Sequence, residues 1–244
     1  MNTYKADLHI HTVLSPCGDL DMSPSNIIRK AQEEGLAVIG ITDHNSTRQC
    51  AVIQELGQSQ GIEVLAGAEV TTSEEVHCLA FFEHPTALAA FQQFLDERLP
   101  TVKNKPETFG YQVVVDANDL ILHEEEHLLI SAIDAGINEI ADQVHALQGI
   151  FIPAHIDKMQ NSLYSQLGFF PADLQVEGME ISRHTGHTET LKAHPELQDF
   201  AFIQSSDAHY LHEIGSVYTN MQMDAPDFAN IRQALANKQT ATAK

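Results

Sequence analysis

Short apolar runs that alternate with helix-like stretches constrain this chain more than any other feature. Residues 6–10 read as a first buried strand, 38–42 (VIGIT) as a second, 63–66 (EVLA) as a third and 76–82 as a fourth. Between the first two, Ser23 and Pro24 open a helix to about Glu34, with Ser23 as N-cap, and Gly35 closes it. Further helices are expected over 47–58 and 86–99. A polar segment with two prolines, 100–110, and a helix-rich stretch, 117–147, follow, so that 85–147 reads as a helical insertion. Ile150–Pro153 (IFIP), 178–181 (GMEI) and Phe202–Gln204 supply later strands, and Phe228–Ala236 a final amphipathic helix. Strands separated by helices argue for parallel βα units, closed into a barrel or open as a doubly wound sheet. In both architectures functional residues gather where strands end and loops begin. With 244 residues, 43% of them hydrophobic, and no repeat or linker, the chain reads as a single domain spanning 1–244.

The strand ends carry a chemical pattern. The first ends in Asp7-Leu8-His9-Ile10-His11-Thr12, and strand alternation points His9 and His11 to one face, which suits two imidazoles on one metal. The second ends in Thr42-Asp43-His44, the third in Gly67-Ala68-Glu69, and the fourth carries Val76-His77. The IFIP strand runs into Ala154-His155-Ile156-Asp157, and the last into Ser205-Ser206-Asp207-Ala208-His209. A lone His at a strand end is usually solvated or hydrogen-bonded within the core. Six strand ends that each deliver a His, Asp or Glu form a joint pattern, and imidazole with carboxylate suits zinc, manganese or iron. His123-Glu124-Glu125-Glu126-His127 also matches H-E-x-x-H, the zinc-protease helix motif. It lies in an acidic run with no third ligand in view, and reads as a solvated helix start.

Charge and cysteine usage narrow the setting. Thirty-four acidic residues against 13 basic give a net charge of −21, which argues against a general grip on long nucleic acid. A small anionic substrate remains compatible, because bound divalent cations would reverse the local field. Three cysteines without a CxxC pair suit reduced thiols, and no run approaches the length of a membrane span. The expectation is a soluble cytoplasmic protein.

In this order, DLHIHT, TDH, GAE followed by VH, PAH and SDAH resemble the motif set of the polymerase-and-histidinol-phosphatase (PHP) family, from residue 7 to residue 209. The resemblance implies an α/β fold, a distorted seven-stranded β/α barrel of TIM-like type, with two or three divalent metal ions and phosphoester hydrolysis as the activity. It implies that His9, His11, Glu69 and Asp207 share one metal, that Glu69 bridges to a second held by His77 and His155, and that His44 and His209 hold a third. Asp43 is expected beside that site, orienting His44. Relatives place an acid soon after the first motif; this chain carries extra residues there, and Asp19 is the expected ligand, with Asp21 and Cys17 as alternatives. Arg183 and Lys158, each just past a strand end, are candidates to neutralise a phosphate oxygen. His184 and His187 share the loop with Arg183.

The expected chemistry is in-line attack by a metal-bridged hydroxide, with Asp207 or a neighbouring histidine such as His209 moving the proton. The expected substrate is a small phosphorylated metabolite or nucleotide, histidinol phosphate included. An oligonucleotide-directed nuclease and a non-catalytic metal-binding accessory domain are the alternatives. The oligomeric state is open.

Overall fold

The structure, a computed structural model, describes residues 1–242. In chain order the described elements are β1 (Asn2–Ile10), α1 (Pro24–Glu33), β2 (Val38–Ile41), α2 (Cys50–Gln60), β3 (Glu63–Thr71), β4 (His77–Phe82), α3 (Pro85–Arg98) and α4 (Pro106–Phe109). They continue with β5 (Val113–Val115), β6 (Ile121–Glu124), α5 (Ile137–Ala146), β7 (Ile150–Pro153), α6 (Leu163–Leu167) and β8 (Met179–Ile181). The last are α7 (His187–Ala193), β9 (Phe202–Gln204), β10 (Thr219–Met223), α8 (Phe228–Ala236) and β11 (Thr240–Thr242).

Seven strands form one curled sheet in the order β11-β10-β1-β2-β3-β4-β7, a half-barrel of the distorted type expected. The sheet is mixed. β1, β2 and β3 run parallel, whereas β4 turns back on β3 and the remaining pairs are antiparallel. β8 and β9 form a separate parallel pair that lies beside β7 on one side and β11 on the other, spanning the gap between the sheet's two edges. Leu8, Leu65, Leu79, Phe81, Ile152 and Met221 fill the space enclosed by the strands, and α8 plugs it with Phe228, Ile231 and Leu235. The outer faces are covered by α1 and α2 (Ile27, Ile28, Ala31, Ile53) and by α3 and α5 (Phe91, Leu95, Ile140, Val144).

Three local expectations are corrected. Ser23 occupies the N-cap position of α1 but its side chain makes no capping bond. α2 begins at Cys50, three residues later than 47, because Gln92 of α3 captures the Thr47 amide and hydroxyl at 2.6 and 2.9 Å and holds that segment outside the helix. Within 117–147 the described helix is α5 alone; the preceding part is the β5–β6 hairpin and coil. Its turn is built by Asp116, whose carboxylate accepts the Asn118 and Leu120 amides, with Asp119 at a φ of +62°. His123 therefore sits on a strand, largely exposed, and the helical spacing that would pair it with His127 does not exist.

Gly40 marks a close approach inside the sheet. A Cβ there would lie 2.4 Å from the Leu8 carbonyl oxygen and 2.8 Å from Leu8 Cα, so β2 can touch β1 only without a side chain. Gly40→Ala should cost about 2–3 kcal/mol of unfolding free energy through forced overpacking. Chemical denaturation checks this, and a loss below about 0.5 kcal/mol, the range of ordinary surface changes, would show that β1 yields freely.

Candidate metal centre

Backbone pairing beyond the strand ends brings the donors together. Ile10 pairs with Ala208 as an isolated parallel bridge, with His11 N donating to Ala208 O at 3.0 Å and Ala208 N to His9 O at 3.2 Å. That bridge sets Asp207 and His209 against His9 and His11. A second bridge, His44 with Glu69, extends the β2–β3 pairing and delivers His44. The β3–β4 hairpin places His77 beside Glu69, and the end of β7 supplies His155. His155 and Asp207 take left-handed backbone conformations, with φ of +28° and +52°, which turn each side chain inward where the strand stops.

Glu69 is the centre of the cluster. It is 1% exposed, and its Oε1 meets His77 Nδ1 at 2.8 Å, His155 Nε2 at 3.1 Å and His9 Nε2 at 3.3 Å. Its Oε2 meets His44 Nδ1 at 3.1 Å and His11 Nε2 at 3.4 Å. Around His9, the Nε2 lies 3.2 Å from His11 Nε2, and both nitrogens lie 3.4 Å from Asp207 Oδ1. The triangle of His9 Nε2, His11 Nε2 and Asp207 Oδ1, at 3.2–3.4 Å on each side, matches the face of a tetrahedron around an ion with bonds of about 2.0–2.1 Å, while Glu69 meets His9 with one oxygen and His11 with the other. His11, His44 and His209 form another set of three converging donors, and His44, Glu69 and His77 a further one.

Outer contacts fix which imidazole nitrogen faces inward. Ser15 Oγ donates to Asp43 Oδ1 at 2.7 Å, so it accepts from His11 Nδ1 at 2.9 Å and leaves His11 Nε2 as the inward lone pair. His209 Nδ1 donates to the Asp207 carbonyl at 3.0 Å, and His9 Nδ1 to Glu180 Oε2 at 2.9 Å, with the same result. His44 Nδ1 is buried and lacks a hydrogen-bond partner although Glu69 Oε2 is near. Lone pairs and carboxylate oxygens facing one another across 3.2–3.4 Å repel unless a cation lies among them. The donor set therefore fits divalent metal ions.

The electrostatics agree. Burial works against a charge on His9, but Glu180, Asp207 and Glu69 together hold its ring well above the ordinary imidazole range. Burial, helped by His209, pushes His11 down to about 3, and burial also holds His44 well below its usual value. Burial opposes the charge on Glu69 and Asp207 as well, yet the surrounding histidines keep both carboxylates far below their usual range.

Other expected residues fall differently. Asp43 is buried and binds the Thr12 amide and hydroxyl and the Ser15 hydroxyl, each at 2.7 Å. It thus orients His11 through Ser15, and touches His44 only through that hydroxyl's contact with the His44 amide. Asp19 stands at the edge of the cluster, its amide donating to the His209 carbonyl at 2.9 Å, while one carboxylate oxygen accepts the Asp21 amide at 2.9 Å and is not among the converging donor sets. Asp21 and Cys17 are exposed on the same loop. Lys158 pairs with Asp207 and lines the open cavity of about 200 Å³ over the cluster. Lys158 also borders a narrower cavity of about 110 Å³ with Arg183 and His184; Arg183 pairs with Glu213 at 3.0 Å. His187 lies elsewhere, against Phe202.

Three residues escaped the sequence reading. Ser15 and Glu180 hold imidazoles, as above. Asp7 is buried and fixes the Asp207 loop by accepting the Ser206 amide at 2.9 Å and the Gly215 amide at 2.8 Å. An acid inside an apolar run (ADL, MEI) was the available signal for Asp7 and Glu180.

Fold and site together define a histidine- and carboxylate-rich metal-binding protein on a curled α/β half-barrel. The chain belongs to the PHP domain family: residues 7–168 match the PHP domain and residues 197–240 the PHP-associated segment. YqxK of Bacillus subtilis is 25% identical over 270 residues, covering 96% of this chain and 62% of that protein. MJ1587 of Methanocaldococcus jannaschii is 40% identical over 78 residues, covering 29% of this chain and 46% of that protein. The chain thus spans less than two thirds of the length of these relatives. Among solved structures, the lesion-specific endonuclease Q of Pyrococcus furiosus shares the fold with a TM-score of 0.73 at 18% identity, covering 99% of this chain and 58% of that one. A Bifidobacterium adolescentis chain assigned as a metal-dependent phosphoesterase gives 0.66 at 18% identity, covering 96% of both. Endonuclease Q is also known in complex with a 27-mer duplex, so the expectation that long nucleic acid is excluded finds no support in the fold. Among the described residues, no helix is long and apolar enough to cross a membrane.

Asp7 supplies a pH test of this geometry. Burial pushes its carboxyl from 3.8 up to about 6, against the pull of the Ser206 and Gly215 hydrogen bonds. The folded state thus holds an extra proton between about pH 4 and 6, and stability falls as pH rises across that window, by about 3 kcal/mol. In metal-free Asp7→Asn protein this decline should vanish from urea-unfolding free energies, whatever constant offset the amide adds. Parallel pH profiles for the two proteins would refute it.

Proposed function

We propose that the chain is a metal-dependent phosphoric ester hydrolase acting on a small phosphorylated metabolite or nucleotide, in the manner of a histidinol phosphatase. The observation that carries this reading is the 3.2–3.4 Å triangle of His9, His11 and Asp207, with Glu69 against both histidines, beside an open cavity with a lysine in its wall. His9, His11, Glu69 and Asp207 would hold one ion, Glu69 with His77 and His155 a second, and His44 and His209 a third. Zinc, manganese and iron all suit this donor set. Bound ions supply Lewis acidity toward the phosphoryl group and lower the pKa of water.

The chain's own groups do the rest. Lys158 stands where a phosphate oxygen would enter and can exchange its Asp207 partner for the substrate; Arg183 stands beyond it, along the narrower cavity. Asp207 and His209, at the cavity wall, are placed to accept and pass on a proton. Asp43, locked between Thr12 and Ser15, holds the frame of the first motif. The expected ligand Asp19 has no part in this scheme. The three cysteines are free thiols, which supports a reducing compartment such as the cytoplasm.

A second reading, a nuclease, is favoured by the endonuclease Q fold, whose known complex carries an abasic lesion at the active site. An accessory domain without turnover is the third. p-Nitrophenyl phosphate should be hydrolysed only with divalent metal present, and His9→Ala and Asp207→Ala should each lose turnover to background together with bound metal. Full activity and normal metal content in both variants would place the site elsewhere. Rates on histidinol phosphate, a mononucleotide and a short oligonucleotide then separate phosphatase from nuclease.

A further inference from the structure

Glu180 lies in the middle of β8, between the buried Met179 and Ile181, and outside both segments that match the family. It is 1% exposed, and a carboxylate in such surroundings is costly unless its oxygens are satisfied. One oxygen is. Glu180 Oε2 accepts two bonds, from His9 Nδ1 at 2.9 Å and from the His155 backbone amide at 3.0 Å. The other, Oε1, is buried without a partner, and Glu180 lines the 110 Å³ cavity beside the cluster.

These two bonds join opposite parts of the centre. His9 comes from β1 and His155 from the end of β7, and in the sheet those strands are separated by β2, β3 and β4. The two bonds also do different work. The bond to His9 Nδ1 sets the imidazole tautomer and ring orientation. The bond to the His155 amide holds a residue whose φ of +28° is unfavourable for a side chain with a Cβ and persists only under external restraint. The β8 backbone adds to this hold, since the Glu180 carbonyl accepts the Ile156 amide at 2.9 Å.

We propose that Glu180 is a positioning residue for the metal centre, fixing the His9 ring and the His155 backbone through a single carboxylate oxygen. The inference rests on the reading of His9 and His155 as metal ligands. It makes a geometric demand: an acceptor must stand at the Oε2 position, whereas the charge is secondary. A glutamine meets that demand, with its amide oxygen in the place of Oε2 and its NH₂ turned to the cavity. An aspartate keeps the charge but is one methylene too short to reach both donors.

The test compares wild-type protein, Glu180→Gln and Glu180→Asp, each stripped of metal and titrated with Mn²⁺ or Zn²⁺ against a competing chelator. The rise in melting midpoint on adding metal is measured in parallel. Glu180→Asp should weaken metal binding by about 10–100-fold and shrink the metal-induced rise, while Glu180→Gln stays close to wild type. Rescue by Gln and failure of Asp is a pattern that a general loss of fold does not produce. Equal metal-induced rises in all three proteins overturn the proposal, as does a Gln variant as impaired as Asp. Should Glu180→Asp lose its fold without metal, Glu180 belongs to the scaffold and the proposal again fails. His9→Ala losing metal while Glu180→Asp keeps it refutes the role of Glu180 and leaves the metal reading standing. A wild type that takes up no metal refutes the ligand reading first.

Discussion

A single buried carboxylate, Glu69, is the constraint on which the rest of this molecule is organised. Its two oxygens face five imidazoles that arrive from β1, β4 and the loops after β2 and β7. Placed in an apolar interior, neither the anion nor the cluster of rings would be stable alone. The electrostatic demand is divided: Glu180, Asp207 and Glu69 favour positive charge at His9, whereas burial disfavours it at His11 and His44. Positive charge is thus favoured beside the point where His9, His11 and Asp207 already stand 3.2–3.4 Å apart.

The incomplete barrel serves this arrangement. A sheet closed entirely by strand-to-strand pairing would hold β9 within the ladder. Here β8 and β9 stand as a separate pair, and the chain after β9 crosses to form its own bridge with the tip of β1. Asp207 and His209 reach His9 and His11 by that route. The same gap leaves room for the narrow cavity beneath Lys158 and Arg183, next to the open one over the cluster. Outer hydrogen bonds from Asp7, Asp43 and Glu180 then secure the loops that strand pairing no longer controls.

Much of this was legible in the sequence, for a physical reason. Strand ends are marked by the switch from apolar runs to His and Asp, so the eight motif residues that the structure gathers could be read off directly. The failures have equally local causes. The 117–147 stretch looked helical because Ala, Leu, Ile and Glu recur through it, but the turn chemistry of Asp116 and Asp119 makes a hairpin. β10 was missed although Thr219, Met221 and Met223 alternate with polar residues, the signature of a half-buried strand. Asp19, chosen by position in the motif, does lie against His209 through its backbone, with one carboxylate oxygen turned to the Asp21 amide. Glu180 carried a signal, an acid within the apolar MEI run, but its role was not legible because its partners are 171 and 25 residues away in the chain.

The left-handed backbone at His155 and Asp207 has an evolutionary consequence. Each such conformation in a non-glycine residue costs on the order of 1–3 kcal/mol. Glycine would relieve that cost at once, but it would also delete the ligand. The two positions are thus held under opposing pressures, one toward stability and one toward the centre. A descendant that no longer bound metal would gain by drifting to glycine at 155 and 207, well before its core changed. At these two positions the local backbone and the proposed ligand role ask for different residues.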